Sequence, residues 1–198
     1  NVVVQQLIPG GGASQFSYAA LWWQGRPLAE FTARRARQYP VDFGYTSTFV
    51  QVAEAPEVTA AARRLLTSIG YHGLVEIEFK RDGRDGTFKL LDVNPRPWSW
   101  FGLAAAAGVD LGAMLWQSAN GLPMEQAQAR RDAAWMYLAR DIVSAATLVG
   151  RGTLKPVDYL RSFGAVRAWA TFAARDPVPG LIDLPLTGWR VLTRRILR

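Results

Sequence analysis

Residues 73–97 read GLVEIEFKRDGRDGTFKLLDVNPRP, and this stretch decides the fold. On either side of its centre, apolar and polar residues alternate, which is typical of β-strands with one buried face. The centre, RDGRDG, contains two Asp-Gly pairs, which are strong turn signals. The stretch therefore predicts a hairpin of two strands, at 73–80 and 87–94.

Acidic side chains recur on one face of each predicted strand. Because side chains alternate between faces, Glu76 and Glu78 share a face of the first strand. Asp92, Asn94 and Arg96 share a face of the second strand for the same reason. If the turn holds an odd number of residues, Glu78 lies directly opposite Asp92. Like charges in that position destabilise a hairpin, so the pattern needs a compensating cation.

The residue types suggest which cation it is. Carboxylate and amide oxygens suit Mg²⁺ that is shared with substrate phosphates, rather than zinc or copper. Arg96 would add a guanidinium fork suited to phosphate or carboxylate. The alternative is an exposed hairpin whose polar residues simply alternate, and spacing alone leaves both open.

The same residues resemble a known signature. Glu78-Phe79-Lys80, a short turn and the run at 90–96, LLDVNPR, are similar to the ATP-grasp superfamily pattern. That pattern is a strand with a metal-ligand Glu, a hairpin, and a strand that ends in Glu-x-Asn-x-Arg. Asp92 stands where the family usually has Glu. Arg-Gln-Tyr-Pro at 37–40 and the Asn-Pro-Arg-x-Trp ending most resemble carboxylate–amine ligases and carbamoyl-phosphate-synthase-like proteins.

The resemblance implies roles for these residues. Glu78, Asp92 and Asn94 would hold Mg²⁺, or Mn²⁺, on the phosphates of ATP. Arg96 would contact the phosphoryl group or an acyl phosphate. The implied enzyme is an ATP-dependent ligase that activates a small-molecule carboxylate as an acyl phosphate for attack by an amine or ammonia.

Two upstream segments extend the resemblance. Residues 4–10, VQQLIPG, are similar to the hinge strand that lines the adenine pocket in this family. The implied nucleotide contacts are Gln5, Gln6, Leu7 and Ile8, with Gln15 near the ribose hydroxyls. Arg35 and Arg37 resemble the basic strand that reaches the phosphates, although a solvated edge strand would look the same.

We predict an α+β fold, the C-terminal lobe of an ATP-grasp fold with an antiparallel sheet and packed helices. The predicted elements are strands at 2–8, 16–23 and 28–37, a helix after Pro56, and two short helices after Pro97. Residues 1–124 would form this subdomain, and residues 125–198 a basic, mainly helical extension. The family's first lobe would lie upstream in a longer protein, which makes that part of the protein an expected partner.

Composition limits the remaining functions. The chain has 198 residues, of which 49% are hydrophobic and 20% charged, as in globular proteins. The absence of Cys excludes disulfides and thiolate chemistry, and fits a cytoplasmic location. Residues 125–198 hold 12 basic and 6 acidic residues, so the net charge of +7 belongs mainly to the last third.

That basic excess motivates the rival hypothesis, a non-enzymatic α+β module that binds an anionic surface or polymer. Nucleic acid is its less favoured form, since Glu76 and Glu78 would repel phosphates. Residues 188–198 predict an amphipathic helix with Trp189, Leu192 and Ile196 on one side. We expect it to dock on the protein's own body, with peripheral membrane contact as the minor alternative.

Overall fold

The computed structural model of the chain describes residues 2, 4–125, 127–191 and 193. Within these residues the strands are β1 (Gln15–Trp23), β2 (Arg26–Tyr39), β3 (Thr46–Val52), β4 (Gly73–Arg81), β5 (Phe88–Asn94), β6 (Ala127–Gln128), β7 (Ala134–Met136) and β8 (Val166–Trp169). The helices are α1 (Pro56–Ser68), α2 (Gly102–Ala106), α3 (Leu111–Ala119), α4 (Leu138–Gly150), α5 (Pro156–Ser162) and α6 (Val178–Val191).

Across the described residues these strands form one sheet in the order β5-β4-β1-β2-β3-β7-β8, and β6 also pairs with β2. The pairs from β5 to β7 are antiparallel, whereas β2–β6 and β7–β8 are parallel. The predicted α+β class, with an antiparallel sheet and packed helices, is confirmed.

Helices cover both faces of the sheet. On one face, Tyr18, Ala20 and Trp22 of β1 join a buried cluster with α1. On the other, Ala19 and Leu21 join a cluster that includes residues of α2 and α3. The alternation of β1 thus supplies two cores, because consecutive side chains point to opposite faces.

The helix boundaries follow their sequence signals. Pro56 occupies the first turn of α1, where its missing N–H costs nothing, and Val58, Ala62 and Leu66 form the buried stripe. Asp110 caps α3 by accepting a hydrogen bond from the Ala113 N–H at 2.9 Å. The helix after Pro56 and the capped helix after Pro97 are both confirmed.

One prediction fails. The described residues of the segment 2–8 form no strand, because both edges of β1 are already paired with β2 and β4 and the segment stays largely exposed. The last third is mainly helical, as predicted, with α4, α5 and α6, and its short strands β6, β7 and β8 also extend the sheet. The boundary at residues 124 and 125 stays a prediction, but strands from both sides share one sheet.

The predicted helix at 188–198 is only partly described. Its first residues belong to α6, which ends at Val191, and residues 192 and 194–198 lie outside the described part of the chain. In the described residues, no helix is both long and apolar enough to cross a membrane.

A buried ion pair ties α4 to the sheet. Arg37 of β2 donates to both carboxylate oxygens of Asp141, at distances from 2.8 to 3.1 Å. Its guanidinium also lies over the rings of Phe49 and Tyr159, 4.1 and 5.1 Å from their centroids. The two charged side chains are 5% and 0% exposed, so each depends on the other for its charge compensation.

We predict that Asp141→Ala lowers the free energy of unfolding by about 3–5 kcal/mol, because it leaves a buried guanidinium without its counter-charge. Urea unfolding measures the change. The control is Asp158→Ala, whose partner Arg161 lies 3.4 Å away in an exposed pair. That variant should lose at most about 1 kcal/mol. Equal losses of unfolding free energy in the two variants would contradict the prediction that the buried ion pair stabilises the fold more than the exposed one.

Candidate active site

The polar residues of the central strands gather at one end of the α2–α3 face of the sheet. Register pairing places Ala33, Ser17, Glu78 and Asp92 in one row across β2, β1, β4 and β5. Two rows on the same face flank this row along the strands. One contains Glu76 and Asn94, and the other contains Arg35, Gln15 and Lys80. We call the polar patch the group Ser17, Arg35, Glu76, Glu78, Asp92 and Asn94.

The hairpin pairs the two predicted acids through a β-bulge and not through an odd turn, because Arg81 pairs with Phe88 across six residues and the register shifts between Glu78 and Phe79. Glu78 pairs directly with Asp92, and Glu76 pairs with Asn94. Directly opposed residues have Cβ atoms about 5 Å apart, so both carboxylates reach the same space. Glu78 is 20% exposed at its side chain and Asp92 is exposed, so the pair is open to a ligand. The predicted juxtaposition of these two acids is confirmed.

Arg35 supplies the positive charge that the acidic pair needs in this structure. Its Nη2 lies 3.3 and 3.4 Å from the two carboxylate oxygens of Glu78. Its Nη1 donates to Oε1 of Gln15 at 2.8 Å. The guanidinium of Arg35, which lies on β2, therefore contacts β1 through Gln15 and β4 through Glu78.

Glu76 is the charged residue that lies deepest in the polar patch. It is 1% exposed, and Oε2 accepts a hydrogen bond of 3.3 Å from the Asn94 side-chain amide. Its other oxygen, Oε1, has no hydrogen-bond partner among the described residues. Burial, together with the negative charges of Glu78 and Asp92, raises the pKa of Glu76 to about 7, although a hydrogen bond with Ser17 and the charge of Arg35 act in the opposite direction.

Arg37 and Arg96 do not join the polar patch. A β-bulge between Arg35 and Arg37 pairs them with Val50 and Phe49 respectively, so the two arginines point to opposite faces. Arg37 is thereby committed to its ion pair with α4. Arg96 is exposed, and its Nη1 donates to the Pro97 carbonyl at 3.1 Å.

A cavity of about 490 Å³ adjoins the polar patch at the row of Gln15 and Lys80. Three of the predicted hinge residues line it, namely Gln6, Leu7 and Ile8, together with Gln15. Gln5 is exposed and does not line it. The volume falls within the range of small-molecule cavities.

The sequence argument missed other residues that line this cavity. Lys80 and Leu91 contribute from β4 and β5, and Gln38 contributes from β2. The signal for Lys80 was present, because it follows Glu78 at the two-residue period of a strand. Gln38 carried no such signal, because bulges on both sides of Arg37 shift its register.

The donor set suits Mg²⁺. Two carboxylates and an amide oxygen are hard ligands of the kind that Mg²⁺ prefers. Across the residues that the structure describes, no three His, Cys, Asp or Glu side chains converge as a metal cluster. A cation at this patch would therefore need the amide of Asn94 as well as Glu78 and Asp92.

A model of the family described as ATP-grasp in the biosynthetic pathway with Ter operon matches residues 21–140, more than half of the chain. The chain belongs to this ATP-grasp family. The match includes Arg35, Glu78, Asp92 and Asn94, while residues 4–15 lie before it. No curated protein sequence matches the chain.

Solved structures resemble the ATP-grasp chain at low identity. A biotin carboxylase from Campylobacter jejuni, solved as a β,γ-ATP complex, is 14% identical with a TM-score of 0.51 over 66% of this chain and 30% of that chain. A second structure is a biotin carboxylase domain of Hydrogenobacter thermophilus 2-oxoglutarate carboxylase in complex with MgADP, ADP and bicarbonate. It is 17% identical, and the match has a TM-score of 0.47 and covers 61% of this chain and 28% of that chain. A third is the ATPase subunit of phosphoribosylaminoimidazole carboxylase from Aquifex aeolicus. It is 15% identical, and the match has a TM-score of 0.46 and covers 56% of this chain and 35% of that chain.

The first of these similarities identifies the shared fold, part of an ATP-grasp fold. The chain spans 30% of that biotin carboxylase.

We predict that Glu76→Gln stabilises the metal-free ATP-grasp chain at alkaline pH. A folded-state pKa of about 7 against an ordinary 4.5 favours the neutral form. Its stabilising contribution is complete below about pH 4.5 and is lost as the pH rises through about 7. The variant should match the parent near pH 4.5 and be more stable by about 3 kcal/mol near pH 8, because one pKa unit corresponds to about 1.4 kcal/mol.

Urea unfolding in the presence of a chelator, at both pH values, measures this difference. Glu57→Gln, at an exposed position in the first turn of α1, controls for removal of a surface carboxylate. An unchanged stability difference between Glu76→Gln and the parent across this pH range would contradict the prediction.

Proposed function

We propose that the chain is the C-terminal part of a Mg²⁺- and ATP-dependent ligase. The enzyme activates a carboxylate as an acyl phosphate, and an amine or ammonia then displaces the phosphate. The observation that carries the proposal is one arrangement: Glu78, Asp92 and Asn94 share a sheet face with Arg35. This patch adjoins the cavity that the hinge segment lines.

Glu78, Asp92 and Asn94 would hold the metal. A bound Mg²⁺ would supply charge neutralisation on the oxygens of a transferring phosphoryl group. Glu76 accepts a hydrogen bond from the Asn94 amide nitrogen, which orients the carbonyl oxygen of that amide. Such outer hydrogen bonds commonly orient metal ligands.

Arg35 has a double role in this proposal. Without metal, its guanidinium compensates the charge of Glu78. Once Glu78 binds a cation, the guanidinium no longer has to compensate that carboxylate, and it can contact phosphate oxygens in a bidentate manner. Arg96 is a second anion contact in the proposal, whereas Arg37 is left out because its ion pair with Asp141 buries it.

The cavity would hold the nucleotide base. Leu7, Ile8 and Leu91 offer apolar contacts, and Gln6 and Gln15 offer polar ones. This division suits a flat heterocycle with polar edges. No nucleophilic side chain is required, since the substrate carboxylate itself attacks the phosphoryl group.

The rival hypothesis of a general polyanion-binding module has less support. Several arginines of the last third are engaged within the chain. Arg131 pairs with Glu54 at 2.5 Å, Arg151 pairs with Asp42 at 2.6 Å, and Arg140 donates to Thr46 at 2.9 Å. A surface whose cations already have partners attracts a polyanion less strongly.

We predict that Asp92→Asn separates two effects in the whole protein. It removes one of two facing carboxylates, so stability without ligand should hold or rise. The thermal stabilisation by Mg·ATP should fall because a ligand charge is lost. Turnover should fall by roughly 10² or more, since metal stabilisation of the transferring charge is worth several kcal/mol.

Melting temperatures with and without Mg·ATP give the measurement. Asp85→Asn makes the same substitution in the same hairpin, in the turn where Asp85 pairs with Lys89, and serves as the control. The control should keep the full nucleotide-induced shift. Equal shifts in Asp92→Asn and the parent would refute the metal assignment.

A further inference from the structure

The face that α6 turns toward the protein is polar. Gly180, Asp183 and Thr187 are its partly buried residues, and their spacing of three and four forms one stripe along a helix. The Asp183 carboxylate accepts hydrogen bonds from the Tyr137 hydroxyl at 3.4 Å and the Thr171 hydroxyl at 3.3 Å. These contacts orient the helix.

A close approach at Gly180 fixes the same orientation. A Cβ added there would lie 2.8 Å from Cα of Phe172, a distance that side chains do not tolerate. Only glycine allows the helix to lie this near the backbone at 172. The polar stripe is therefore held against the body of the protein by both packing and hydrogen bonds.

The opposite face of α6 is apolar and exposed. At 100° per residue, the positions most distant from the polar stripe include Pro185 and four large apolar side chains, whose exposure ranges from 47 to 66%. The four are Val178, Leu181, Ile182 and Trp189, and Leu186, 44% exposed, lies at the flank of this face. An ordinary surface helix has the reverse arrangement, with its apolar stripe toward the core. A contiguous exposed apolar face of this kind marks an interaction surface.

The charge around this face indicates its partner. Asp183 is the only acid in the sequence of α6, and it points toward the protein body. Arg190 is exposed beside Trp189, and the sequence continues with three more arginines, at 194, 195 and 198. A second copy of the chain would bring the same positive charge to the contact, which opposes pairing of the two faces.

We propose that the outward face of α6 docks on the surface of an anionic lipid bilayer. Apolar side chains with a Trp at the acyl boundary, and arginines at the headgroups, are the composition of interfacial helices. Anionic headgroups attract arginines near the surface. The helix lies on the membrane and does not span it, in keeping with its length of 14 residues. This proposal does not depend on the ligase reaction.

Vesicle co-sedimentation of the whole protein tests it, with phosphatidylglycerol vesicles and phosphatidylcholine vesicles as probes. The test variant is Leu181→Gln with Trp189→Gln, and these side chains are 66 and 61% exposed. The matched control is Leu160→Gln with Trp116→Gln, at 68 and 62% exposure on α5 and α3. Each variant replaces one exposed Leu and one exposed Trp by Gln, so neither should disturb the core.

The parent and the control should bind phosphatidylglycerol vesicles equally, and binding should weaken with added salt. The test variant should lose at least about tenfold in partition coefficient, because two large apolar side chains no longer enter the bilayer. Three outcomes would overturn the proposal. They are no binding by the parent, equal binding by the two variants, and a loss of self-association in the test variant without any change in vesicle binding.

Discussion

The two-residue alternation of side chains in β1 and β4 is the constraint on which the rest of this structure depends. Both strands are paired on both edges, so their backbones cannot shift without breaking two ladders. Val75, Ile77 and Phe79 must enter the core beside α1. Glu76 and Glu78 are then fixed on the opposite face, where Leu74 already belongs to the second core. The hydrophobic requirement of one face thus determines where the acids of the other face lie.

This arrangement places charge in a region that can poorly accommodate it. Glu76 reduces the conflict by favouring its neutral form, and Glu78 reduces it through Arg35. Both solutions leave the patch ready for a cation, because a divalent ion compensates several carboxylates at once. In the proposed function, binding of a metal would therefore be coupled to local stability, as expected where ligands converge before the ion arrives.

The hairpin could be predicted from sequence because its signals are local. The Asp-Gly pairs mark the turn, and alternation fixes which residues of each strand share a face. The bulge that brings Glu78 opposite Asp92 has no such signal, since the pairing of Arg81 with Phe88 alone would place Glu78 opposite Leu91. The hinge segment was misassigned as a strand because its apolar residues fit the pattern, whereas pairing depends on which sheet edges are open. The role of Arg37 was missed because Asp141 lies 104 residues further along the chain, a distance at which no local signal acts. For the C-terminal helix, the sequence analysis favoured docking on the protein's own body over contact with a membrane. Periodicity identifies an apolar stripe but not the direction in which it points.

The bulge in β2 has a consequence for how this protein can change over evolutionary time. One residue, Ala36, lies between an arginine that faces the polar patch and an arginine that anchors α4. Ala36 is the extra residue of the bulge, because Arg35 and Arg37 pair with Val50 and Phe49, which are adjacent in β3. Deleting Ala36 would therefore give a regular strand that keeps both arginines opposite the same partners and on opposite faces. Keeping Ala36 but losing the bulge would instead bring Arg37 to the face of Arg35 and turn its guanidinium away from Asp141. The strand can thus lose a residue at the bulge without a change of face, whereas a change of length elsewhere in β2 would shift its pairing.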